Sequence, residues 1–328
     1  MDSTKPEATV ADAARTIDAL CAAIVDVCWR QWGALGRAAA RPPRTIVDIE
    51  ALLLASQWFA EDEPRLTSAA AAWLRKWDSL VSMQRLRNLA ARTAEWLPAS
   101  PFMDTRVRAL SVFESSPASY LEGSDEKITS PVDAASAPAV RAPARRVSPT
   151  APVGPWAATL QLRLRLLLGV GAKADCMTLL LGRTGDETLP DWCLEQETAY
   201  GSHALRKVTR DLAWSGVLAS SRDGQHGLPD REAWWPLLHV TPPARQVWVS
   251  WATIFSWAAA SGAVIRRGVE REVSAYGLGG QLDNLAASLG EPMPWDTPLR
   301  ALGAEQLMGV GGFVARCDAM LSRLREDA

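Results

Sequence analysis

The stretch from residue 114 to 155 constrains this 328-residue chain more than any other feature. It holds seven prolines among Ser, Ala and Gly, few large apolar residues and no helical or strand period. Such a segment buries too little apolar surface to offset the entropy of ordering it, so it reads as a flexible, disordered linker. The chain then divides into a helical domain over 1–113, the linker over 114–155, a second domain over 156–240, and a helical region over 241–328. Pro242-Pro243 marks the last boundary. The linker is acidic in its first half (Glu114, Glu122, Asp125, Glu126) and basic in its second (Arg141, Arg145, Arg146), the pattern of a solvated tether.

Before the linker, apolar residues recur at spacings of three and four. Ala13, Ile17, Leu20, Cys21, Ile24 and Cys28 predict one amphipathic helix over 9–37, stopped by Pro42-Pro43. Asp48 is the expected N-cap of a helix through Ala60. Further helices are expected over 65–77, with Leu66, Ala70, Trp73, Leu74 and Trp77 on one side, and over 82–96. The last turns Met83, Leu86, Leu89 and Ala90 inward and leaves Arg85, Arg87 and Arg92 largely outside. Trp58, Trp73, Trp77 and Trp96 read as core filling between helices.

Charge and cysteine usage narrow the function classes. Thirty-five basic against 37 acidic residues leave a formal net charge of −2, which argues against a basic nucleic-acid coat. Five widely spaced cysteines with no CxxC pair fit buried thiols in a reducing compartment, not a disulfide frame or a zinc site. No secretory leader or membrane span is legible, since the most apolar run, 160–181, is interrupted by Arg163, Arg165, Lys173 and Asp175. A cytoplasmic protein is expected, without membrane contact.

The region 173–238 reads helix, helix, helix, strand, turn, strand, helix. Leu189-Pro190-Asp191 opens a short helix, residues 197–200 form a turn, and Gly201 or Ser202 begins a helix ending near Trp214. Val217 to Ser220 fits a strand, Ser221 to Gly224 a hairpin turn, and 226–228 a short returning strand. On the helix over 202–213, Leu205, Val208 and Leu212 fall on one side. His203, Arg206, Lys207 and Arg210 gather on the other, with Arg222 and His226 flanking the hairpin tip. An apolar back and a donor-rich front are what a helix reading a DNA groove requires.

Tyr200-Gly201-Ser202, Leu205, Val208, Asp211-Leu212-Ala213, Ser215-Gly216-Val217-Leu218 and the turn before Trp234-Trp235 carry a likeness. On these residues, about 160–238 resembles the winged helix-turn-helix domain of bacterial transcription regulators. Leu166 to Ala174, with Pro64-Arg65-Leu66 and Ser82 to Leu86, further resembles a group of such proteins with a helical N-terminal domain. The resemblance implies a mainly α fold: helical N-terminal domain, winged helix-turn-helix with a small β-hairpin, helical C-terminal region. It implies binding of double-stranded DNA through Ser202, His203, Arg206, Lys207 and Arg210, with Arg222 on the backbone from the wing. Three departures stand out: Ala199 occupies a turn position where the family often has Gly, the wing is short and holds Asp223, and residues 156–240 carry 9 basic against 10 acidic residues.

The sequence points to little else. Gly169-Val170-Gly171-Ala172-Lys173 fails the spacing of a phosphate loop, and no nucleophile elbow or paired-histidine zinc motif occurs. No catalytic residue, cofactor or metal is expected, and His239 reads as a helix-end residue. The expected function is a regulator reading duplex DNA through helix 202–213 and the wing near 221–226, as an oligomer or with a protein partner. The aromatic stretch from Trp248 to Trp257 is the expected apolar seam, and Gly277-Leu278-Gly279-Gly280 and Gly309-Val310-Gly311-Gly312 are expected helix breaks. The alternative is an antitoxin-like or assembly subunit in which the winged helix is an adaptor and the Trp-rich helices make the contacts.

Overall fold

The computed structural model describes residues 8–36, 43–97, 157–183, 188–243, 247–289 and 308–326. The linker expected over 114–155 lies outside them. The protein is mostly helical, with one small antiparallel sheet.

Local signals place the first helices. Helix α1 (Val10–Ala34) starts at a capping box. The Asp12 amide donates to Thr9 Oγ1 at 3.2 Å, and the Thr9 amide to Asp12 Oδ2 at 2.8 Å. Helix α2 (Ile49–Trp58) is capped by Asp48, whose Oδ1 accepts from the Ala51 amide at 3.1 Å. Helix α3 spans Arg65–Trp77 and α4 spans Met83–Thr93, the latter capped by Ser82. Each keeps the inward face its spacing implies: Leu66, Ala70, Trp73 and Leu74 are buried on α3, and Leu86, Leu89 and Ala90 on α4.

The chain continues with α5 (Leu160–Leu168), α6 (Ala172–Gly182), β1 (Leu189–Pro190), α7 (Asp191–Thr198), α8 (Ser202–Trp214), β2 (Ala219–Ser220), β3 (Gln225–Gly227) and α9 (Trp234–Leu238). The sheet has the order β1-β3-β2. His226 sits in its middle strand, opposite Leu189 on one side and Ser220 on the other. The pairing at Leu189–Pro190 is too short to carry a period and was not legible as a strand. The last three helices are α10 (Trp251–Glu270), α11 (Ala275–Leu289) and α12 (Gly309–Glu326).

Burial joins regions that the sequence keeps apart. One core is built from α1–α4 together with α10–α12, and α1 packs lengthwise on α10 and α12. The N- and C-terminal helical regions therefore form one helical body, because neither set of apolar stripes is covered without the other. The aromatic stretch is spent inside: Trp248, Trp251, Phe255 and Trp257 are all buried, so the expected seam for a partner is internal packing. The expected helix breaks are corrected too. Gly277, Gly279 and Gly280 lie within α11, and a Cβ on Gly279 would stand 2.9 Å from the Gly309 Cα. There the missing side chain lets two helices cross closely.

A second core holds α5–α9, and it takes in Ile46, Val247 and Trp248 from the segments that flank it. Main-chain hydrogen bonds sew the two cores together. The Ile46 amide donates to Val247 O at 2.8 Å, and the Val47 amide to Ala158 O at 2.9 Å. The Val247 and Trp248 amides both donate to Gly182 O, at 2.8 and 2.9 Å.

The cysteines behave as small apolar residues. None of the five forms a disulfide, Cys28, Cys176, Cys193 and Cys317 are buried, and burial pushes the Cys21 thiol up to about 12 and that of Cys193 up to about 11. No helix among the described residues is long and apolar enough to cross a membrane, and no group of His, Cys, Asp and Glu among them is placed to hold a metal.

Candidate functional site

Helix α8 presents the face that its spacing implies. Leu205, Thr209 and Leu212 are buried against α6 and α7, and Val208 is half-buried. Ser202, His203, Arg206, Lys207 and Arg210 are all exposed, as is Arg222 on the turn between β2 and β3. Among the described residues Arg206 and Lys207 join no ion pair. Arg210 lies over the ring of Trp214, 5.0 Å from its centroid, and makes a loose ion pair with Asp211 at 3.7 Å. Trp214 itself is 79% exposed. The face carries three solvated cations, Arg206, Lys207 and Arg210, of which only Arg210 joins an ion pair among the described residues.

His226 is not on that face. It is 5% exposed, its Nε2 lies 2.8 Å from Asp191 Oδ1 and its Nδ1 2.9 Å from Ser220 Oγ. The imidazole spans from the sheet to the first residue of α7. The reason is register: position 226 falls on the middle strand, with neighbours on both sides. The hairpin turn is drawn to the same place. The Asp191 amide donates to Gly224 O at 3.1 Å, and Gly224 takes a φ of +68°, a conformation glycine adopts without a steric penalty. The hairpin is thus moored to α7, which leaves Arg222 outside. His239 is the C-cap of α9, with a φ of +51°.

The turn between α7 and α8 is held from the body, by α4. Arg92 donates to Gln196 O at 2.7 Å and to Glu195 O at 3.0 Å, and Asn88 to Ala199 O at 2.7 Å. Arg85 donates from Nε to Thr198 O at 2.9 Å and, more weakly, from Nη2 to Glu197 O at 3.4 Å. All five carbonyls from 195 to 199 are taken by one face of α4; Glu195 O also accepts from the Ala199 amide, and the other four belong to the helix end, which lacks intrahelical partners. Two of the three donors are cations set at the negative end of the α7 dipole, a placement worth about 0.3–1 kcal/mol each when exposed and more when buried. Ala199 closes the turn at a φ of +56°. The position that the resemblance marks as a glycine site does need the left-handed conformation, and alanine holds it here because its carbonyl is tied down.

Behind the turn lies a buried cluster of charge. Arg85 and Arg165, both 0–2% exposed, use every N–H they have. Arg165 donates to Glu50 at 2.7 and 2.8 Å, to Asp175 at 2.8–3.0 Å, and to Leu80 O at 2.8 Å. Arg85 adds Asp48 at 2.6 Å and Glu50 at 2.8 Å to its two carbonyls. Glu50 bridges the two guanidiniums and also accepts from the Ser82 amide at 2.7 Å. Burial pushes the Glu50 carboxyl up, but Arg165 and then Arg85 outweigh it and hold it below the usual carboxylate range. Tyr200 closes the cluster, with its hydroxyl donating to Asp175 Oδ2 at 2.9 Å and 2.8 Å from Ser82 Oγ.

Arg85 is therefore the correction in α4. Its apolar neighbours Leu86, Leu89, Ala90 and Thr93 mark the buried side, and Arg85, Asn88 and Arg92 form a stripe along one edge of it. Only Arg87 and Arg92 reach solvent, as expected. The stripe recurs at spacings of three and four, but nothing in it separates a buried cation from a solvated one, and the carbonyls it holds lie more than a hundred residues away. Glu197 completes the turn's anchorage. Its carboxyl takes the Trp248 indole N–H at 2.9 Å and the Ser250 hydroxyl at 2.7 and 2.8 Å. Burial pushes it above the usual range, outweighing the hydrogen bonds from Trp248 and Ser250 and the more distant charge of Arg85, which pull it down.

No protein-family model, curated protein or solved structure matches this chain.

Proposed function

We propose that the protein binds double-stranded DNA, with α8 in the major groove and the β2–β3 hairpin beside it, as a transcription regulator. The observation that carries this reading is the exposed face of Ser202, His203, Arg206, Lys207 and Arg210 on a helix whose other side is buried. The order α6, β1, α7, α8, β2, β3 with a β1-β3-β2 sheet supports it, since that is the chain order of a winged helix-turn-helix. So does Arg222, held out on a hairpin that His226 and Asp191 moor to α7. Arginine forks match a guanine edge, and Lys207 and Arg222 suit phosphate oxygens. The role is one of binding, without a catalytic residue.

A salt titration of binding to mixed-sequence duplex DNA tests it. Each phosphate contact contributes about 0.9 to the slope of log affinity against log salt, so Arg206→Ala/Lys207→Ala/Arg210→Ala is expected to flatten the slope by up to about 2.7. A chain that binds no duplex even at low salt overturns the reading.

A second reading has its own observation. Residues 156–240 are near neutral, and Trp192 on α7 and Trp214 under Arg210 of the basic face stand 62% and 79% exposed. Solvated tryptophans suit a protein-contact surface, in which the unit is an adaptor. A partner retained through high salt, with no salt-dependent DNA binding, favours that reading.

A further inference from the structure

We infer that α4 sets the angle at which α8 is presented, which makes Asn88 and Arg92 positioning residues for DNA binding; this rests on the DNA-binding reading above. The main contacts of α8 are with α6, α7 and β2. The helical body grips its base instead, through the five carbonyls of residues 195–199 and the Tyr200 hydroxyl.

That grip is on backbone up to Ala199, three residues before α8 begins, and adds one side-chain hydroxyl at Tyr200. It therefore fixes a direction and leaves the side chains of α8 free for a target. At the N-terminal end of α4 the same joint opens into a cleft of about 340 Å³, lined by Val81, Met83, Val170, Ala172, Tyr200 and Ala204 among others. Apolar packing does not close the joint there, so the hydrogen bonds from α4 carry more of the angular restraint.

A 13-residue helix is about 20 Å long, at about 1.5 Å per residue. A swing of about 10° at the turn moves its far end at Trp214 by about 3 Å and Arg210, about 12 Å along it, by about 2 Å. That is more than half the spacing of successive base pairs, about 3.4 Å, so a small loss of angular restraint takes Arg210 off its contact. Arg85 cannot test the idea, because it also neutralises buried carboxylates. Asn88 is half-buried and Arg92 is exposed at the edge, so they are removable.

The test uses the full chain in three forms: unmodified, Asn88→Ala/Arg92→Ala, and Arg92→Lys. Spin labels carried by unnatural amino acids at Arg75 on α3 and Lys207 on α8 report the distance distribution by pulsed electron resonance, without DNA. Unlabelled protein is titrated with a mixed-sequence 30-base-pair duplex at low salt. The double variant is expected to broaden the distribution, to bind about tenfold more weakly, and to lose about one contact from its salt slope. Arg92→Lys, which keeps one donor for these carbonyls, is expected to fall between. A role in stability alone lowers the melting temperature and leaves the distribution narrow, which overturns the inference. So does a broadened distribution with undiminished affinity, or an unchanged distribution in both variants. If the unmodified chain binds no duplex, the DNA reading fails, and the distance measurement still decides whether α4 sets the angle of α8.

Discussion

Replacing Arg165 with methionine removes a guanidinium that has no contact with water and leaves its carboxylates in place. Glu50 loses two charge-assisted hydrogen bonds, Asp175 loses its guanidinium altogether, and Leu80 O loses its donor. Methionine fills a similar volume, so the cost is electrostatic. Breaking a buried ion pair from one side costs about 3–5 kcal/mol, because the surviving charge keeps its desolvation penalty. In a chain of this size about 1 kcal/mol moves the melting temperature by about 2–4 °C, so a fall of about 6–20 °C is expected at pH 7.5.

The sign of the pH dependence gives a sharper check. Without Arg165 the folded-state carboxyls sit above their unfolded values, so the variant takes up protons on folding. Its deficit is then full at high pH and shrinks as pH falls towards the ordinary carboxylate range near 4.5. Calorimetric melts of both proteins from pH 7.5 to 5 measure it. A deficit under 1 kcal/mol, or one that stays constant with pH, would refute the claim that uncompensated buried charge is what Arg165 prevents.

Further outcomes follow from other contacts. Glu197, raised by burial, is most stabilising when protonated, so its contribution is lost as pH rises above the ordinary glutamate value. Glu197→Gln is therefore expected to flatten the decline in melting temperature between pH 5 and 8. Gly182→Ala places a Cβ 2.7 Å from Ile46 Cδ1 and 2.9 Å from Trp248 Cβ, where the two cores meet. A loss of about 1–3 kcal/mol by urea denaturation is expected from that overpacking. Asp191→Ala unmoors His226 and is expected to speed amide exchange over 219–227 at least about tenfold, the equivalent of about 1.4 kcal/mol, while the body stays protected.

Much of the local architecture is legible from side chains alone. Asp48 announces a helix start because an N-cap acts over three residues, and Thr9 and Ser82 cap their helices in the same way. Helix α8 begins at Ser202 and ends at Trp214, within a residue of the span its apolar spacing and Ser215-Gly216 imply. Its donor face is legible too, because a face depends only on the helical period. What misleads is charge and glycine read in isolation. Arg85 reads as a surface cation, and the glycines of α11 read as breaks, since the sequence around each says nothing about what packs on it.

The sequence by itself determined where α1–α4 and α6–α8 run, which side of α1, α3, α4 and α8 is apolar, and that one helix face concentrates cations. These are properties of the chain over a few residues. Only the tertiary structure decided that the two terminal regions share one core, that the Trp248–Trp257 stretch is interior, and that Arg85 and Arg165 are buried. Each of those depends on a partner far along the chain, 37 residues from Asp48 to Arg85 and 115 from Glu50 to Arg165. A buried charge is tolerable only once its counter-charge is in place, so its position follows from the whole fold and leaves no mark on its neighbours in sequence.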